Sequence, residues 1–443
     1  VDGSRVLEVT LTVRINLPPF GLDFNSLIAA FWQLGPRVLV RLFELTLMAL
    51  EGRIGKELQA SQPERFLWRG RTGRDKRWQL PFGEARHAYR RMLDRQTGRQ
   101  FSPLQVFLTI PRYRQLTDAV LAGPVGLSTE LSFRKATAES QRMQEGPGPS
   151  KSSTWIYFQH FSTGGLDPLP AGPDRTLDVV IADGTKLKRQ QRGRNLGHMD
   201  VRVVLATTRA GGRLQVAAFG LDEQWPQLKE MLRRDFPDQE VQALLSDGEE
   251  EIEALMDGRT RHQRCLIHGP RGFSFALYQD GLKKVRQDRF LQRFDAVDAW
   301  RMDARALEEL GEKSRYYLLG LADQAKTMCQ ELLERLPKKA RHARSYLERY
   351  VQPSLSYIRA LLNGEEPLPA VTTNQIENLF GQMTVRLKRI GRRWSLAGAL
   401  NMLRALLAKA LRKEHWREYL ELFGGVPGAI TIDVAIHSWR WAS

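Results

Sequence analysis

The chain has 443 residues, with 67 Lys and Arg against 50 Asp and Glu and a formal net charge of +17. Hydrophobic residues make up 42% and charged residues 26%, the proportions of a folded globular protein, and the length exceeds one ordinary core, so several domains are expected. Only Cys265 and Cys329 are present, which excludes a disulfide framework and fits a reducing compartment. The positive excess makes a polyphosphate the first-choice partner, although an acidic membrane surface would also suit it.

Val9, Leu11, Val13 and Ile15 alternate with polar residues and predict a half-buried strand. Between Phe24 and Leu58 the apolar residues follow helical spacing, and Gly35-Pro36 predicts a break into two packed helices. The apolar stretch Leu27 to Leu50 carries Arg37, Arg41 and Glu44, so no membrane helix is expected. No secretory leader is visible either, and a cytoplasmic, nucleoid-associated location follows as an expectation. From Trp68 to Arg99 cations interleave with Trp68, Trp78 and Tyr89; such aromatics either stack on bases or anchor a small ribbon.

Residues 111–143 read as a helix-turn-helix. Tyr113 to Leu121 forms the first helix, Ala122-Gly123-Pro124 breaks it, and Ser128 to Lys135 opens the second, with Arg134 and Lys135 placed to reach a DNA groove. An ordinary helical hairpin is the alternative. Gln144 to Ser153, rich in Gly, Pro and Ser, predicts a boundary, giving an N-terminal region over 1–150 and a linker over 151–176.

After the linker the pattern becomes mixed α/β. Leu177–Ala182, Val201–Thr207 and Leu214–Phe219 read as strands in hairpin connection, Pro226–Phe236 as a helix, and Val241–Leu245 as a buried strand lying beside the first. The first and last of these runs end in Asp183-Gly184 and Asp247-Gly248, so both aspartates are expected at one sheet end, where sites commonly form. This first part of the core covers 177–274. A helix-rich, charged stretch over 275–368 reads as a helical insertion, and 369–443 as the last part of the core. There Ile376, Leu379, Phe380, Met383, Leu387 and Ile390 mark an amphipathic helix after Thr373-Asn374, with Glu377 on the rim of its apolar stripe.

Singly, each acidic signal has a plain explanation. Asp-Gly is a common turn pair, and Glu377 three residues after Asn374 resembles a capping box. Glu249, Glu250 and Glu251 read as solvated charges opening a helix. Cys265 and His268 have the spacing of half a zinc site; His262 as a third ligand does not close one, and the pair is expected beside the active site with His268 against a phosphate. Two basic clusters flank the acidic positions. Lys186, Lys188, Arg189, Arg192 and Arg194 follow Asp183, and Arg386, Lys388, Arg389, Arg392 and Arg393, beside Trp394, follow Glu377. From Gln375 to Glu414 there are nine Lys and Arg against two Glu, a one-sided surface that predicts DNA contact.

Taken in order, Ala182-Asp183-Gly184-Thr185-Lys186, Ser246-Asp247-Gly248, Cys265-Leu266-Ile267-His268 and Thr372-Thr373-Asn374-Gln375-Ile376-Glu377-Asn378 resemble the Mutator-like insertion-sequence transposases over roughly Leu177 to Leu411. The resemblance implies a ribonuclease H-like fold interrupted by a helical insertion. It also implies an Asp183, Asp247, Glu377 triad that binds Mg²⁺ or Mn²⁺, as two ions, and is both the metal site and the catalytic site. The implied partners are double-stranded DNA, as element terminal inverted repeats and target, and further copies of the chain assembled on DNA. The implied reaction is phosphodiester hydrolysis at the element end followed by strand transfer. Some relatives carry cysteine metal knuckles near the N-terminus, but residues 1–150 contain no Cys, so end recognition falls to 111–143. The competing expectations are a catalytically inactive, domesticated DNA-binding protein and a ribonuclease H-like nuclease that cuts without joining. A two-carboxylate glycosidase ranks last, because it needs neither a third acid nor the positive charge.

Overall fold

The computed structural model describes residues 24–108, 110, 115–144, 148–169, 177–190, 197–208, 212–294, 314–365, 368, 372–391 and 393–425. The expected strand at Val9 to Ile15 lies outside them, as do residues 111–114 and the side chains of Arg192, Arg194 and Arg392. The chain forms two compact units, Val1–Gly164 with Arg417–Ser443, and Gly165–Trp416.

In the first unit α1 (Phe24–Ser61) is one helix with Pro36 inside it, not the expected pair. Proline removes one backbone donor, but strong helix formers on both sides carry the ladder past it. Five short strands follow: β1 (Phe66–Arg71), β2 (Lys76–Leu80), β3 (Gly83–His87), β4 (Arg90–Asp94) and β5 (Arg99–Phe101). They form an antiparallel β1-β4-β5 sheet and a β2-β3 hairpin. Leu47 of α1 packs with Trp78, Leu80, Ala85 and Tyr89 in one core. Trp78 and Tyr89 are therefore anchors of the small sheet, and the Arg90 guanidinium sits 3.9 Å over the Trp68 ring. The buried Glu51 of α1 meets His87 Nε2 at 3.1 Å and accepts the Arg90 N–H at 2.9 Å, tying helix to sheet.

A short helix, α2 (Pro103–Phe107), precedes α3 (Asp118–Leu127), α4 (Phe133–Met143) and α5 (Lys151–Thr163), and these last three pack on one another. The expected break at Gly123-Pro124 falls later, at Ser128–Ser132, because α3 continues through Pro124. Arg134 and Lys135 are exposed in the first turn of α4, whose cap Ser132 accepts the Lys135 N–H. Helix α5 occupies half of the expected linker. Ser150 caps it by accepting the Ser153 N–H at 3.0 Å, and Phe158 and Phe161 bury its inner face, a combination that outweighs the breakers just upstream.

The second unit is mixed α/β. Strands β6 (Val179–Lys188), β7 (His198–Thr207), β8 (Gln215–Leu221), β9 (Ala243–Ser246) and β10 (Arg261–Arg264) lie in the order β10-β9-β6-β7-β8, with α6 (Trp225–Asp235) between β8 and β9 in sequence. β9 runs parallel to both neighbours, whereas β6, β7 and β8 form an antiparallel meander. Val179 to Ala182 are all buried, the pattern of a central strand covered on both faces. Next come α7 (His268–Gln279), α8 (Lys284–Phe294), α9 (Ser314–Arg335), α10 (Arg341–Ser354) and α11 (Ser356–Leu362), built round Phe273, Phe294, Leu332 and Tyr350. Then α12 (Asn374–Thr384) packs on β6 and passes into a π-helical turn, Val385–Ile390, and α13 (Leu396–Leu411) packs on β8. A last helix, α14 (Lys413–Gly424), belongs from Arg417 onward to the first unit, where the Tyr419 and Phe423 rings lie 5.0 and 5.3 Å from that of Phe161. Among the described residues no helix is long and apolar enough to cross a membrane.

Candidate metal and nucleic-acid site

Parallel pairing of β6 with β9 sets the site. Ala182 registers with Ser246, so the next residue of each strand, Asp183 and Asp247, sits at the same level on adjacent strands. The two then differ. β9 stops, and Gly248 turns the chain at φ +96°, where an added Cβ would lie 2.9 Å from the Arg264 guanidinium. β6 does not stop: it stays paired with β7 as far as Lys188, which corrects the expectation that the strand ends before Asp183. Asp183-Gly184 is thus no turn, and the turn explanation of that aspartate falls away.

Asp183 accepts the Gly184 N–H at 2.7 Å and Asp247 accepts the Glu249 N–H at 3.1 Å. Burial, and then the charge of Asp247, push the Asp183 carboxyl up to about 7; the Gly184 N–H and His268 pull the other way, and Glu377 adds to the rise. The fields of all three acids therefore overlap.

Glu377 comes from the first turn of α12, and it caps nothing. Thr373 is the cap residue, and its hydroxyl donates to Glu377 Oε1 at 2.8 Å. The Thr373 N–H donates to Cys265 Sγ at 3.2 Å, so the expected capping box is absent. His268 Nδ1 lies 3.3 Å from Thr373 Oγ1 and 3.8 Å from Glu377 Oε1. A hydrogen bond to Cys265 holds His268 above its ordinary range, against burial and with the help of nearby negative charge. Burial pushes the Cys265 thiol up, but bonds to His268 and Thr373 outweigh it and leave the thiol lowered. Among the described residues, the His, Cys, Asp and Glu side chains that gather three donor atoms within 4.8 Å of one another are Cys265, His268 and Glu377; of the expected triad only Glu377 belongs to that group. His262 does not join it, because its Nε2 faces Ser246 Oγ at 2.9 Å.

Asp183, Asp247, His268 and Glu377 line a cleft of about 1220 Å³, together with Arg264, Arg271, Tyr346, Arg349 and Lys388. Lys388 is exposed and donates to Thr185 Oγ1 at 2.6 Å, beside Asp183. Lys186, Lys188, Arg389 and Arg393 are exposed, and Arg189 is ion-paired with Asp222. Arg386 departs from the expected basic surface: it is buried with its guanidinium 5.1 Å over the Trp394 ring, and burial lowers it to about 10. The indole of Trp394 donates to Leu387 O at 2.7 Å, which holds the ring against the π-helical segment that carries Arg386.

Sequence reasoning missed Arg264 and read Glu249 only as a solvated charge. Arg264, on the polar strand β10, is buried beneath the Asp247 turn, and no pattern in the residues announces it. Glu249 lines the cleft, its carboxyl raised by partial burial and by Asp247 against the pull of Arg202. Its position two residues after Asp247 was the available signal. Neither a known protein family nor a curated protein matches the chain.

Proposed function

We propose that the chain is the DNA transposase of an insertion sequence, a ribonuclease H-like enzyme that cuts DNA at element ends and joins the freed 3′ hydroxyl to a target. The observation that carries this reading is the emergence of Asp183 and Asp247 at one level of adjacent parallel strands, with Glu377 lining the same cleft. Three oxygen-donor acids fit Mg²⁺ or Mn²⁺, and a divalent cation offsets both causes that raise Asp183, its burial and then the repulsion of Asp247. Asp183, Asp247 and Glu377 would hold two ions, which when bound supply activation of a water and stabilisation of the leaving oxygen. Thr373 fixes the Glu377 carboxylate through its hydroxyl. Arg271, Arg349 and Lys388 line the same cleft and offer charge to the phosphates of an entering strand.

All three acids stand and line one cleft, which favours a working enzyme over an inactive DNA-binding descendant. Joining distinguishes a transposase from a nuclease on the same core. Incubating the purified protein with its flanking inverted-repeat DNA and Mg²⁺ or Mn²⁺ tests both steps. Cleavage and a joined product are expected, both lost in Asp247→Ala; equal cleavage by that variant removes Asp247 from the reaction. Because Asp183 must shed its proton to bind a cation, half-saturation by Mg²⁺ is expected to need less metal at pH 8 than at pH 6.

A further inference from the structure

The geometry points to a second cation site of softer character, in which Cys265, His268 and Glu377 hold a zinc-type ion. It goes beyond the transposase reading and does not depend on it, although the two share Glu377. Cys265 leaves β10 and His268 opens α7, a Cys-x-x-His step that turns both side chains toward Thr373 and the first turn of α12. Their donor atoms and a Glu377 oxygen lie within 4.8 Å of one another. A tetrahedral zinc ion needs ligand atoms about 3.3 to 3.8 Å apart, given its bond lengths to sulfur, nitrogen and oxygen. His268 Nδ1 and Glu377 Oε1 stand 3.8 Å apart, so this pair needs to draw in by only about 0.4 Å to share one ion.

Two further features fit this chemistry. The Thr373 N–H reaches Cys265 Sγ at 3.2 Å, the kind of outer-shell bond that supports a metal-bound thiolate. One thiolate, one carboxylate and a neutral imidazole balance a divalent charge, which makes burial of the ion tolerable. His268 and Glu377 also line the cleft, leaving the fourth position to water or a phosphate oxygen. An ion held there withdraws Glu377 from Asp183 and Asp247. Zinc is therefore expected to oppose any activity that Mg²⁺ supports.

Cobalt(II) titrated into the full chain without DNA tests the site directly. A thiolate-to-cobalt charge-transfer band with visible bands of tetrahedral cobalt is expected. The charge-transfer band should vanish in Cys265→Ser, weaken in His268→Gln, and persist in Cys329→Ser and Asp183→Asn. Circular dichroism of Cys265→Ser shows whether the fold is kept; the serine hydroxyl can still accept the Thr373 N–H. Absence of the band from the wild type, or its persistence in folded Cys265→Ser, overturns the proposal. Neither result bears on Mg²⁺-dependent cleavage, which Asp247→Ala tests separately.

Discussion

His262 stands behind the Asp247 turn. Its Nε2 is hydrogen-bonded with Ser246 Oγ at 2.9 Å, and the same oxygen accepts the Gly248 N–H at 3.3 Å, so a neutral imidazole helps fix the backbone that carries Asp247. Burial, and then the charge of Arg264, lower His262 from 6.5 to about 4. The folded value lies below the unfolded one, so this stabilisation is present above pH 6.5 and is lost as pH falls toward 4. Urea titrations should show the wild type losing about 2 kcal/mol between pH 7 and pH 5 that His262→Gln does not lose; parallel losses in both would contradict it. Thr373 is as central on the other side of the site. Replacing its buried hydroxyl by Thr373→Val strands the Glu377 carboxylate and His268 at a cost of about 1 to 3 kcal/mol, whereas Thr373→Ser should cost clearly less. Equal midpoints for the two variants would show that the hydroxyl orients nothing. The three acids were visible in the sequence; the hydroxyl that aims Glu377 was not, because Glu377 reads there as the partner of a cap at Asn374.

At the scale of elements, the β6-β9 pairing was legible because two short Val/Ile/Leu/Ala runs each end in Asp-Gly. The same dipeptide hid the extension of β6, where Asp-Gly sits inside a strand against β7 and makes no turn. β10 was invisible for a different reason. Its sequence, Arg-His-Gln-Arg, has no apolar period, and its burial depends on Gln263, whose amide bonds the Ser354 carbonyl at 2.9 Å and the Tyr357 N–H at 2.8 Å. Helix α7 meets α10 through two glycines. A Cβ on Gly269 would lie 2.3 Å from the hydroxyl oxygen of Tyr350, and one on Gly272 would lie 2.5 Å from that of Tyr346. Tyr350 is fully buried and donates to Cys265 O at 3.1 Å, so it has no room to yield. Gly269→Ala is expected to lower stability by about 1 to 3 kcal/mol. Gly320→Ala, in the interior of α9 with nothing within 4 Å of its Cβ, should be neutral or raise stability by up to about 1 kcal/mol. Thermal or urea unfolding of the two variants checks both signs.

For the whole molecule, the net charge of +17 pointed to a polyanion, and the fold gives part of that charge a place. Lys388, Arg271 and Arg349 line the cleft of the acidic residues, and Arg389 and Arg393 are exposed on the same stretch of chain as Lys388. The proposed function requires a DNA affinity that falls steeply with salt, and a combined Lys388→Ala, Arg389→Ala, Arg393→Ala variant should show a shallower slope; an unchanged slope would contradict phosphate contact at these residues. Arg386→Ala belongs to a different class, since that buried side chain acts through packing on Trp394. The division into units was only partly legible. Gly and Pro marked a boundary near 150, but a capped, aromatic-faced α5 carries the first unit on to Gly164, and no local signal shows that residues from Arg417 onward belong with it. The central claim is that acids far apart in sequence form one cation site. Mn²⁺ binding to the DNA-free protein, followed by electron paramagnetic resonance, tests it most directly: Asp183→Asn and Asp247→Asn should each weaken binding by about tenfold or more, and wild-type affinity in both variants would contradict it.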